Sequence, residues 1–139
     1  MTLDKIVAIS GKPGLYEIIS HAKSGIIVQS LVDQKRFPVT AVQNVSVLND
    51  IAIYTYEEEV PLGQVLLNIA TKEAHKETIS HKENNKVLLD FMAEVLPNFD
   101  DERVYASNVK KIIQWYNILV TSNFDFASLE EEQEETTDN

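Results

Sequence analysis

The chain has 139 residues, 22 acidic against 12 basic side chains, a formal net charge of -10 and 44% apolar residues. That length allows one domain, or two small ones sharing a core. The absence of cysteine excludes disulfide frameworks, thiol catalysis and zinc-thiolate clusters.

The opening MTLDKIVAIS lacks the basic and long apolar regions of a secretory signal. No apolar run approaches the roughly 18–20 residues of a membrane span. A cytoplasmic protein with no membrane association is the expectation. From there to Tyr56 the signal is strand-like. Lys5–Ser10 ends at Gly11-Lys12-Pro13-Gly14, where Pro13 then Gly14 suits the two central positions of a type II turn. Leu15–His21 and Ile26–Leu31 flank Ala22-Lys23-Ser24-Gly25, which reads as a hairpin with Gly25 at positive φ. Arg36–Thr40 follows; Pro38 has no N–H to donate and places this strand at an edge or a bulge. Val45–Asp50 reads as a short helical turn, and Ile51–Tyr56 alternates as the fifth strand. Five short strands with tight turns predict an SH3-like barrel over residues 1–56, because closure removes exposed edges.

From Val60 the apolar period becomes helical. Pro61 suits the first turn of a helix whose face is Leu62, Val65, Leu66, Ile69 and Ala70. Ser80-His81-Lys82-Glu83 forms an S-x-x-E capping box for a second helix that buries Val87, Leu88, Phe91, Met92 and Val95. That helix stops at Leu96, ahead of Pro97. A third helix, capped by Ser107, carries the stripe Val109, Ile112, Ile113, Tyr116, Leu119 and Val120. Trp115 and Ile118 lie beside this stripe and widen it. Packing against the barrel explains the width; a partner surface or homodimer face is the alternative. The fold class is therefore α+β: the barrel, a three-helix unit over 57–127, and an acidic tail over 128–139. The tail carries six acids, no base and one large apolar residue, Leu129, so it is expected to be disordered.

Little in the chain points to catalysis. His75 and His81 are six apart, not the i, i+4 spacing of a helical metal pair, and His21 stands alone. Gly11-Lys12-Pro13-Gly14 leads into a strand, so it reads as a turn and not as a phosphate loop. Asp100, Asp101 and Glu102 precede a helix, where carboxylates serve as caps. No cofactor or metal site is expected, and the chain reads as a non-enzyme. Lys12, Lys23, Lys35 and Arg36 lie in the barrel loops near Tyr16 and Phe37, a basic and aromatic combination that suits nucleic acid. The barrel segment carries only +1 net charge, however, and residues 57–139 carry -11, which disfavours a polyanion partner. A non-enzymatic protein-interaction module or adaptor is the expected function, with Lys12, Tyr16, Lys35, Arg36, Phe37 and Trp115 as its binding residues. A homodimer is one form of that reading. An accessory factor of transcription or translation that binds nucleic acid is the alternative.

The segments LDKIVAISGKPGLYEIIS, GIIVQSL, KRFPV, VSVLNDIAIYT and VLPNFDDERVYASNVKKIIQWYNIL resemble a family of uncharacterised proteins from Bacteroidota. The resemblance spans about residues 2–125, and ISGKPGLY and KKIIQWYN are its most specific parts. It implies an N-terminal barrel-like domain of unknown function, a small helical domain, an acidic tail and a bacterial cytoplasmic protein, and carries no catalytic residues.

Overall fold

The computed structural model describes residues 2–40 and 44–129. Strands β1 (Ile6–Ile9), β2 (Tyr16–Ala22), β3 (Gly25–Ser30), β4 (Arg36–Val39) and β5 (Val45–Val47) form one antiparallel sheet in the order β4-β3-β2-β1-β5. The sheet is open: β4 and β5 are its two edges and do not pair with each other, so the expected closed barrel is corrected. The barrel reading has a physical origin nonetheless. All five strands contribute apolar residues to one cluster, where Val7, Ile9, Tyr16, Ile26, Val28 and Val39 bury a small core of their own. An extra residue in β2, between Ile18 and Ser20, breaks the register with β3 and bends the strand.

The fifth strand of this sheet is Val45–Val47, which sequence reading assigned to a helical turn; the 3-10 turn follows it at Leu48–Asp50. Residues 51–56 instead supply β6 (Ala52–Tyr54), which pairs only with β7 (Glu59–Pro61) in a separate ribbon. The ribbon is tied to the helical side. The Tyr56 N–H donates to Asn98 O at 3.1 Å, and the Asp100 N–H to Tyr54 O at 2.9 Å. Pro38 sits on the edge strand β4, as its missing donor requires. Two glycines are dictated by local geometry. Gly14 has φ +86°, the left-handed conformation its turn demands. Gly25 does not need positive φ; a Cβ there would lie 2.0 Å from the Val39 carbonyl oxygen, so only glycine lets β3 approach β4.

Helices α1 (Leu62–Lys72), α2 (Asn85–Val95) and α3 (Ala106–Thr121) make the helical unit. Their buried faces follow the 3.6-residue period: Leu62, Val65, Leu66, Ile69 and Ala70, then Leu88, Phe91, Met92 and Val95, then Val109, Ile112, Ile113, Tyr116 and Leu119. The start of α2 is capped by Asn84, whose side chain accepts from the Val87 N–H at 3.0 Å. Ser80 instead accepts from the Lys82 N–H and stabilises a turn before the helix. At α3 the Asn108 side chain accepts from the Tyr105 N–H at 2.8 Å, in place of the expected Ser107 cap.

A second, larger core joins the helices to the other face of the sheet through Leu3, Ile6, Leu15, Leu31 and Leu48. β1 therefore lies between two cores, which is why IVAI is apolar throughout. After α3 the chain folds back: Phe124 and Phe126 meet edge-to-face at 5.1 Å, and Phe126 meets Tyr116 at 5.2 Å. Leu129 belongs to this core at 1% exposure, touching the position of Gly63, and so is not part of a disordered tail. Residues 130–139 of the expected tail lie outside the described residues.

Candidate functional site

A broad concavity lies where α3 faces the sheet. It is a cleft of about 910 Å³ between the Pro13-Gly14 turn, the β3–β4 turn and the C-terminal half of α3. A smaller cleft of about 370 Å³ opens on the other side of the Pro13-Gly14 turn, and the two share Pro13, Gly14 and Gln114. Together they form a groove along one flank of α3.

Local chemistry builds each wall. The β3–β4 turn is held by Ser30, whose Oγ accepts from the Val32 N–H at 3.1 Å, and by Asp33, whose carboxylate accepts from the Lys35 N–H at 3.0 Å. That turn projects Val32, 67% exposed, at the groove. On the facing helix Gln114, Asn117, Ile118 and Thr121 recur at helical spacing. The third wall is the α1–α2 connection, pinned to α3 by two adjacent residues. Tyr116 donates its hydroxyl to Lys76 O at 2.6 Å. Asn117 accepts from the Thr78 N–H at 2.8 Å and donates to Ile79 O at 3.0 Å. These bonds carry Glu77 and His81 to the cleft. Glu17, Asp33 and Glu77 line it, and no lysine or arginine does. Burial, then the charge of Asp33, raises the Tyr16 hydroxyl pKa above its ordinary value.

The residues expected to bind are divided by the fold. Tyr16 is buried in the sheet's small core, with only part of its ring on the cleft; its hydroxyl donates to Pro13 O at 2.9 Å. Phe37 packs edge-on against it at 5.5 Å, and the Lys12 ammonium lies 4.9 Å from the Phe37 ring centre. Lys12, Tyr16 and Phe37 are thus brought together, but the two rings serve as core and not as exposed stacking platforms. Lys12 also lines the smaller cleft opposite Trp115, which is half-buried against the main core. Lys35 and Arg36 are exposed at the same end of the sheet and line neither cleft; the Arg36 Nε donates to Gln29 Oε1 at 3.1 Å.

Sequence reading missed the groove residues Val32, Asp33, Glu77, Gln114 and Asn117. The available signal was the flank of α3, where Trp115 and Ile118 widened the apolar stripe. Both indeed line clefts facing the sheet. Among the described residues no group of three or more His, Asp or Glu is arranged to hold a metal ion, and no helix is long and apolar enough to cross a membrane.

The groove lies where two matched domains meet. Residues 3–48 match a domain of unknown function, DUF5606, and residues 51–119 match a second, DUF6852. The chain is also similar to a protein from Bacteroides vulgatus whose solution NMR structure was determined by the Northeast Structural Genomics Consortium. The identity is 43% over 89% of each chain, with a TM-score of 0.74. No curated protein matches the sequence.

Proposed function

This chain belongs to the family that joins a DUF5606 domain to a DUF6852 domain, and on that premise we propose that it is a non-enzymatic protein-interaction module of the bacterial cytoplasm. It takes an extended segment of another protein chain into the groove between α3 and the sheet. The observation that carries this reading is the composition of that groove. An exposed Val32 and a half-buried Ile118 stand among side-chain amides and hydroxyls, the mixture that receives both the apolar side chains and the main chain of a bound segment. Gln114 stands between the two clefts and makes no side-chain hydrogen bond among the described residues, so its amide is free for a ligand. In the larger cleft the carboxylates Glu17, Asp33 and Glu77 favour a protein partner over a polyanion, with Lys12 and Lys111 confined to the smaller one.

The test places a photo-reactive amino acid at Gln114 in the native cell and, as a control, at Lys86, which is exposed on α2 away from the groove. Protein adducts from the Gln114 position, absent from the Lys86 position, are expected, and mass spectrometry identifies a second copy or a different partner. Nucleic-acid adducts, or equal labelling at both positions, would overturn the reading.

A further inference from the structure

A second surface, sharing no lining residue with the groove, exposes aromatic rings. Along β6 the side chains alternate, with Ile53 and Thr55 buried and Tyr54 and Tyr56 outward, 40% and 60% exposed. This outward tyrosine pair leaves aromatic surface open on the ribbon. The loop before α3 lies beside these rings. Its Arg103 guanidinium sits 4.2 Å from the centre of the Tyr54 ring, while its Nε donates to Asp100 Oδ2 at 2.7 Å. One arginine is therefore held between a tyrosine face and a carboxylate, the arrangement that suits its planar, weakly hydrated cation. One step along, a tyrosine again lies beside a carboxylate. The Tyr56 hydroxyl donates to the Asp101 carboxylate, and the ring carries no cation among the described residues. Glu57, Glu58 and Glu102 are exposed around it, and none of them is in an ion pair among the described residues.

We propose that the Tyr54–Tyr56 face of the ribbon, with Asp101, docks an arginine-bearing segment of a partner protein, the incoming guanidinium lying on Tyr56 as Arg103 lies on Tyr54. The charge of the surface selects the occupant: a cation gains from both ring and carboxylates, and an anionic or purely apolar segment does not. The proposal stands apart from the groove and does not depend on it.

The probe is a synthetic peptide of alternating arginine and glycine, with the lysine-for-arginine peptide alongside, titrated into isotope-labelled full-length protein at low salt. The largest shifts are expected at Tyr54, Tyr56, Glu57 and Asp101, with the lysine peptide several-fold weaker. Tyr56→Ala is expected to weaken the arginine peptide by roughly five- to tenfold. Tyr56→Phe keeps the ring and is expected to retain most of the affinity, which separates a lost stacking face from a damaged fold. Shifts spread evenly over acidic residues elsewhere, equal affinity for the two peptides, no effect of Tyr56→Ala, or no binding would each overturn the proposal.

Discussion

Replacing Asn117 by alanine tests how the groove is built. This one amide satisfies both the Thr78 N–H and the Ile79 carbonyl, at 2.8 and 3.0 Å, on a segment far from it in sequence. Each bond contributes about 1 kcal/mol net, and leaving a half-buried backbone group unpaired adds to the loss, so Asn117→Ala should cost about 2–3 kcal/mol. For a chain of this length that lowers the melting temperature by about 5–10 °C. Asn117→Asp keeps the acceptor for Thr78 but loses the donor for Ile79, and should fall between wild type and alanine. Denaturant melts give the global values, and amide hydrogen exchange gives the local one. Protection of the Thr78 amide should drop more than that of β1 or the centre of α1. A loss below about 0.5 kcal/mol, or an unchanged Thr78 amide, would show that the α1–α2 connection is held in place by something other than the Asn117 amide.

Tyr116 pins the same connection from inside the core. Burial first, then the charge of Glu73, pushes its hydroxyl pKa up to about 12. A phenol whose folded pKa lies above its unfolded value, near 10, stabilises the fold fully below that unfolded value. The contribution is lost as pH rises toward the folded pKa. Tyr116→Phe should therefore cost about 1 kcal/mol at neutral pH and flatten the loss of stability between about pH 10 and 12, read from melts across that range. Tyr16 and Tyr56 are raised in the same direction, so some alkaline dependence should remain. Gly25→Ala forces a methyl group to within 2.0 Å of the Val39 carbonyl oxygen, and should cost about 2–3 kcal/mol in a denaturant melt, with loss of the β3–β4 amide protection. Leu129→Ala empties a fully buried site and should cost about 2–4 kcal/mol; a change below about 0.5 kcal/mol would return Leu129 to the tail.

What was legible in the sequence was what short-range chemistry dictates. Pro38 placed β4 at an edge, the helical period marked the buried faces of all three helices, and Pro97 ended α2. Sheet closure was not legible, because whether β4 and β5 meet depends on contacts remote in sequence. Val45–Val47 is too short to announce itself, and Ile51–Tyr56, with the stronger alternation, drew the assignment away from it. The capping box at Ser80 was plausible locally, yet Asn84, four residues on, won the cap. Gly25 was read correctly as obligatory but for the wrong reason, since close approach of a neighbouring strand leaves no trace in local sequence. The groove joins residues 13–34 to residues 77–123, and only the surplus width of the α3 stripe pointed to it.

The most direct measurement of the central claim is chemical-shift mapping with the segment recovered from the Gln114 cross-link, added as a synthetic peptide to isotope-labelled protein. The account predicts that the amides of Gly14, Val32, Gln114, Ile118 and Thr121 move most. Changes centred on Lys35, Arg36 and Phe37, or lying away from α3, would contradict it.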